Sequence, residues 1–319
     1  LVLDGGEGDD TFNVDFAGGL TLPSNGLNVL GGIGGNDTLN VTNAPSGNHV
    51  FNYTNATDGS VVVPGRGTIH YTGLDPITYT SAGGTLTFNF TTTADDIAVS
   101  VDGSGNLVVA GPTIETTPVS LSGITAIAFQ GGSDTDKVTI NSPLNVNVTF
   151  DVEQIVLNAA INGVVSGNAT TVTVNAGGLI QNGIDAAASG ATVNVGAGTY
   201  HEDINLSLKP GLSLVGAGAA TTTISGVLGA ANETVVVGNN NTVRGFTITR
   251  TLGGGENNIG VVVASGATGS LITENVLTNN RTAVYLNGGT TQATISRNLI
   301  TNNRSGFVAP DASYTGYVI

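Results

Sequence analysis

Six residues of this chain have types and spacing suited to holding a hard cation: Asp9, Asp10, Asn36, Asp37, Asp134 and Asp136. They sit in three glycine-rich turns, "GGEGDDTF" at 5–12, "GGIGGNDTL" at 31–39 and "GGSDTDKVTI" at 131–140. Calcium takes about six to eight oxygen ligands from carboxylates, carbonyls and water. One turn supplies too few, so this chemistry requires turns that stack. Gly5 and Gly31 open the first two turns 26 residues apart, close to one coil of a β-solenoid. Stacking would bring Asp9 and Asp10 beside Asn36 and Asp37. The same residues have a purely structural reading: glycine supplies positive φ, and Asp caps the turn through its side chain. Calcium as a cofactor and plain turn capping are therefore both expectations for these turns.

The elements around them are short strands. In the first half, runs such as "TFNV" at 11–14, "TLNV" at 38–41, "HVFNY" at 49–53, "TLTFNF" at 85–90 and "KVTI" at 137–140 alternate with Gly, Asn and Asp turns. That spacing predicts an all-β region over 1–175, either an irregular β-solenoid or a β-sandwich, with the solenoid favoured. Four strands follow an acidic turn residue, Asp10, Asp37, Asp96 or Asp136.

The second half repeats itself. "LITENVLTNNR" starts at Leu271 and "TISRNLITNNR" at Thr294; aligning Ile272 with Ile295 also aligns Asn275 with Asn298 and Val284 with Phe307. The implied period is 23 residues, one coil of a parallel β-helix. Asn275 and Asn298 are expected to form an amide ladder from coil to coil. Ahead of the array, Leu179, Ile180, Ile184 and Ala187 fall on one helical face, predicting a helix over 179–188 that covers the apolar end of the coils. Gly190 is the expected stop, and the boundary is expected near residue 176.

Two resemblances follow from these residues. "IQNGIDAAASGATVNVGAGTYHEDINLSLKPGLSLVGAG" at 180–218 resembles the opening of the pectin-lyase-like right-handed parallel β-helix family, with the likeness covering about 176–319. "GGEGDDTF" resembles the calcium-binding nonapeptide of repeat-in-toxin proteins. No second copy follows nine residues later, the turn at 31–39 carries one residue too many, and Asp134 stands where that motif has Gly. The first half also resembles repeats of very large bacterial surface proteins.

The pectin-lyase-like family includes lyases, glycosidases and esterases. The acids of the second half are Asp185, Glu202, Asp203, Glu233, Glu256, Glu274 and Asp311. Only Glu202 and Asp203 are adjacent, and adjacent residues of a strand face opposite ways. A glycosidase needs two carboxyls about 5–10 Å apart across one cleft. Glu274 and Arg297 lie one coil apart, where a surface salt bridge is the simpler reading. Arg281 and Arg304 follow "TNN" turns and read as surface positions. His49, His70 and His201 are too scattered for a triad or a zinc site. The expectation is that the chain is not an enzyme.

Composition narrows the class. The 319 residues carry a net charge of −15, with no Cys, Met or Trp. Residues 1–160 hold 16 acids against Arg66 and Lys137, which argues against nucleic acid as a partner. No apolar run is long enough to span a membrane as a helix. The start residue and the "YTGYVI" end suggest a piece of something longer, with further coils or another subunit covering the last strands. The expected function is a structural or adhesive segment of a secreted or cell-surface bacterial protein: surface layer, fibre or adhesin stalk. Its expected partners are other subunits or copies of itself. The alternative is a carbohydrate-active β-helix enzyme or polysaccharide-binding module.

Overall fold

The computed structural model describes residues 1–227, 232–250, 258–289 and 293–309. Glu256, Asp311 and the 314–319 end lie outside the described residues. The fold is all-β, a parallel β-helix or solenoid, with a single helix among the described residues. The chain divides into two compact units, Leu1–Ile155 with Ala160–Gly167, and Val156–Ala159 with Asn168–Ile319.

In the first unit, alternating apolar residues make two stacks of strands. Val2–Asp4, Leu27–Leu30 and Gly67–Thr72 pair in parallel, as do Gly47–Tyr53, Gly84–Asn89, Ile124–Gln130, Asn147–Asp151 and Val165–Gly167. Gly59–Val63 joins the two sets through antiparallel pairing on both sides. The other stack repeats the plan. Thr11–Asp15, Thr38–Ala44, Ile77–Ser81 and Thr117–Ser120 run parallel, then Asn106–Ala110 and Asp96–Val101 turn back antiparallel before Lys137–Ile140 resumes in parallel. The unit is thus a solenoid into which each sheet has admitted one antiparallel meander. That explains why no single period runs through its sequence.

One inward column of this unit is aromatic. Phe51, Phe88, Phe129 and Phe150 are in register and stack at centroid distances of 4.9, 5.7 and 5.7 Å. All four are fully buried, so they contribute both apolar area and ring contacts to coil stacking.

The second unit has three parallel stacks. Along one of them the register runs Thr192 to Ser213, Ser213 to Thr242, Thr242 to Leu271 and Leu271 to Thr294, steps of 21, 29, 29 and 23 residues. The last step is the 23-residue period read from the sequence, and it pairs Ile272 with Ile295 and Val284 with Phe307 as aligned. Buried Val235, Val261 and Val284 form one of the inward columns. The run "TVRGFTI" at 242–248 makes two strands, Thr242–Arg244 and Thr247–Thr249, in different sheets, with the corner at Gly245 in the left-handed region (φ 81°).

The helix is Ile180–Ala186, shorter than the expected 179–188. Residues 187 and 188 belong instead to the strand Ala187–Val195, which runs through Gly190. The Lys209 ammonium takes the carbonyls of Asp185 and Ala187, satisfying the helix's C-terminal end. Gly183 lies against Val174, Val193 and Val172, so the helix covers apolar strand residues of its own unit. Among the described residues no helix is long and apolar enough to cross a membrane.

Candidate functional site: the acidic turn columns

The turns precede the strands of one stack in the first unit. Register pairs Thr11 with Thr38, Leu39 with Ile77 and Tyr79 with Val119. At equivalent places one or two residues ahead of the strand, every one of these coils therefore carries an acid: Asp10, Asp37, Asp75 and Glu115. Past the meander, Asp96 pairs with Lys137, which places Asp95, Asp136 and Glu153 in the same role.

These carboxylates bond to the backbone of the neighbouring coil. Asp37 Oδ1 accepts the Asp10 N–H at 2.8 Å, and Asp9 Oδ1 accepts the Asn36 N–H at 2.9 Å. Asp136 Oδ1 accepts the Asp95 N–H at 2.8 Å, and Glu153 Oε2 accepts the Asp136 N–H at 2.9 Å. Asp75 Oδ1 receives the Thr116 N–H and Glu115 Oε1 the Ile77 N–H. The leading glycine of a turn makes room for this. A β-carbon on Gly31 would collide with the Gly73 carbonyl and the Asp37 carboxylate, and one on Gly131 would collide with Asp136.

The structure thus brings Asp9, Asp10, Asn36 and Asp37 together as the 26-residue spacing predicts, with a strand register of 27 in Thr11 to Thr38. It places Asp134 and Asp136 in a separate turn. Asp136 is fully buried, whereas Asp134 is half-buried and lines an open pocket of about 380 Å³ with Asn89, Gln130 and Asp151. Burial pushes the Asp136 carboxyl up; the Asp95 N–H bond opposes this, and the charges of Asp95, Glu153 and Asp134 add to the rise. Sequence reading named Asp96 as the acidic turn residue before its strand. The register assigns that role to Asp95, while Asp96 faces Lys137 in a 2.6 Å ion pair. Glu153 was missed because its turn, "DVEQ", has no glycine to mark it.

The coils bring the acids together in pairs: one oxygen each of Asp9, Asp37, Asp136 and Glu153 accepts a backbone N–H, while Asp10 Oδ2 and Asp136 Oδ2 are buried with no hydrogen-bond partner among the described residues. Among the described residues no group of three or more acidic or histidine side chains is placed to hold a metal ion.

In the second unit, polar residues that could do chemistry are likewise tied to the frame. Glu202 and Asp203 lie between strands rather than in one, and they bond to different partners. Glu202 accepts the N–H groups of Ile180 and Gln181 at 2.7 and 3.0 Å, capping the helix, and burial raises its carboxyl against those bonds. Asp203 accepts from both Nη1 and Nη2 of Arg250, an end-on bidentate pair with contacts of 2.7 and 3.1 Å. The Arg250 side chain is fully buried. Glu274 and Arg297 form the expected surface pair at 3.1 Å.

The amide ladder is present, and there are two of them. Asn298 Oδ1 accepts both the backbone N–H and Nδ2 of Asn275, at 3.0 and 3.1 Å. Asn303 Oδ1 does the same for Asn280, at 2.9 and 3.1 Å. Arg304 is exposed and Arg281 half-buried. His49 is buried, with Nδ1 2.8 Å from the Tyr79 hydroxyl, while His70 and His201 are exposed. Comparison with known proteins yields no match to this chain, whether among family models, curated proteins or solved structures.

Proposed function

We propose that this chain is a structural or adhesive segment of a large secreted or cell-surface bacterial protein, a stiff stack of coils that presents an Asn- and Thr-covered surface. The observation that carries this reading is where its reactive-looking side chains are bonded. Asp37, Asp136, Glu153, Asn298 and Asn303 each accept backbone N–H groups from an adjacent coil. Such residues hold coils in register, and a solenoid's stiffness is the sum of these nearest-neighbour interfaces. The likeness of 180–218 to the pectin-lyase-like opening supports the same scaffold without importing an activity, because fold does not imply function. The GGxGxD likeness supports an extracellular setting, with the turns held by carboxylate capping. Other copies or subunits of a surface assembly are the natural partners.

The test is turnover. The purified chain, incubated with a panel of acidic and neutral polysaccharides, is expected to release no reducing ends and no unsaturated product above a heat-killed control. Turnover that survives repurification would overturn the reading.

A polysaccharide-binding role has one observation in its favour. An open pocket of about 290 Å³ on the second unit is lined by Asn232, Glu233, Ile259, Val262, Tyr285 and Asn287. A half-exposed tyrosine ring among amides and a carboxylate suits a sugar face. Retention on a polysaccharide column that Tyr285→Ala abolishes would establish this second reading.

A further inference from the structure

We propose that the open pocket of about 380 Å³ on the first unit seats a sugar bearing a primary ammonium, one unit of an amino-sugar polymer. The inference rests on the adhesive half of the reading above and gives it a ligand, at a site lined by other residues than the Tyr285 pocket. Three segments make the site. Strand Gly84–Asn89 runs on into Phe90, Thr91 and Thr92, strand Ile124–Gln130 runs into the turn 131–134, and strand Asn147–Asp151 closes the set. Backbone bonds knit them together: the Phe90 N–H donates to the Gln130 carbonyl and the Gly131 N–H to the Asp151 carbonyl, both at 2.9 Å. The volume falls in the range of small-molecule sites, about 300–1,000 Å³.

Two features choose the ligand. The first is charge. Asp134 and Asp151 both line the pocket, and no Lys, Arg or His does. The first unit's own cations are engaged elsewhere: Lys137 pairs with Asp96 at 2.6 Å, and Arg66 donates to the Gly19 carbonyl at 3.0 Å. The charge that complements this pocket is therefore a cation from outside, and an ammonium can donate to carboxylate and amide oxygens together. The second feature is an amide ladder that stops here. Asn52, Asn89, Gln130 and Asp151 are in register on adjacent strands. Asn52 Nδ2 donates to the Ser60 hydroxyl at 3.1 Å, and Asn89 Nδ2 to Asn52 Oδ1 at 2.6 Å. The relay ends at Asn89 Oδ1, which is enclosed and has no hydrogen-bond partner among the described residues. Gln130, the next rung, is exposed and can turn its amide to donate there while offering its own oxygen to the pocket. A ligand rich in hydroxyls matches such a row of amides, and Phe90 adds an apolar wall for a sugar ring. A lysine side chain would meet the carboxylates and leave the amides unused. A uronic acid would bring a like charge to them.

The test titrates the full chain by calorimetry with a β-linked glucosamine tetramer, its N-acetylated form, a galacturonic acid tetramer and tetralysine, at mildly acid pH and physiological salt. The glucosamine tetramer is expected to bind at least about tenfold tighter than each of the other three, as a charge-assisted contact allows. Asp134→Asn should weaken that binding by about tenfold. Gln130→Ala, at an exposed position, should weaken it as well. Glu7→Gln removes the same charge from an exposed turn outside the pocket and should leave binding unchanged, which separates the site from the general acidity of the unit. Thermal midpoints of the three variants show that each is folded. Equal binding by the N-acetylated form or by tetralysine, or equal weakening by Glu7→Gln and Asp134→Asn, would overturn the inference. Absence of binding would overturn it too and leave the scaffold reading standing, since that reading fails only on turnover.

Discussion

The Asp37 carboxylate accepts the backbone N–H of Asp10 at 2.8 Å, although the two residues lie 27 positions apart. The bond joins two coils at a corner where a glycine leaves space for the carboxylate, and Asp37 is buried. Truncating it strands a backbone donor away from water. Asp37→Ala is expected to destabilise the first unit by about 1–3 kcal/mol, the range for orphaning a buried partner. Asp9→Ala, at an exposed turn, should have a smaller effect. Urea unfolding of the two variants, with hydrogen exchange read in the peptide containing Asp10, checks both statements.

The amide ladder permits a cleaner comparison, because two neighbouring residues of one turn do different work. Asn298 supplies the acceptor for two donors of Asn275. Arg297 meets Glu274 with its side chain 78% exposed. Asn298→Ala should therefore cost about 1–3 kcal/mol. Arg297→Ala should cost no more than about 1 kcal/mol, as exposed ion pairs do. Equal losses in thermal unfolding would contradict the assignment.

Arg250 and Asp203 form the one buried ion pair among the described residues, with the arginine side chain fully enclosed. Arg250→Ala alone leaves a carboxylate without its partner and should cost about 3–5 kcal/mol. Replacing both, as Arg250→Met with Asp203→Leu, should recover most of that loss. A double-mutant cycle in chemical denaturant measures the difference.

Two buried groups give the first unit opposing pH dependences. Burial pushes the Glu115 carboxyl from 4.5 to about 9, while bonds from Tyr71 and the Ile77 N–H oppose the rise and Asp75 adds to it. Between those values the unfolded chain releases a proton that the folded chain keeps. The stability that neutral Glu115 provides is thus lost as pH rises from 4.5 towards about 9. Glu115→Gln should flatten that decline. Burial holds His49 below 6.5, against a hydrogen bond to the Gly83 carbonyl. There the unfolded chain takes up a proton first, so stability is lost as pH falls below 6.5, and His49→Gln should remove the acid-side slope. Denaturation midpoints across pH for the three proteins test the two signs separately.

Much of this arrangement was legible in the residues, and the rest was hidden for identifiable reasons. The 23-residue coil from Leu271 to Thr294 could be read because both copies keep Asn, Arg and β-branched residues at matching places. The stacking of "GGEGDDTF" on "GGIGGNDTL" could be read because both turns carry the glycines their geometry demands. The meanders at Gly59–Val63 and Asn106–Ala110 could not, since an antiparallel strand and a parallel one share the same alternation. The helix end at Ala186 depends on Lys209, far along the chain, and the burial of Arg250 depends on Asp203. Local pattern carries no trace of such distant partners.

The central claim is that carboxylates bonded to backbone N–H groups, rather than a bound metal, hold the coils of the first unit together. Thermal unfolding of the full chain with calcium and with excess chelator, at one protein concentration, tests it most directly. The account predicts the same midpoint in both, and a drop in both for Asp37→Ala. A calcium-dependent rise in midpoint, lost in Asp37→Ala, would contradict it and assign the turns to a metal, since a ligand that binds only the folded state must raise its stability.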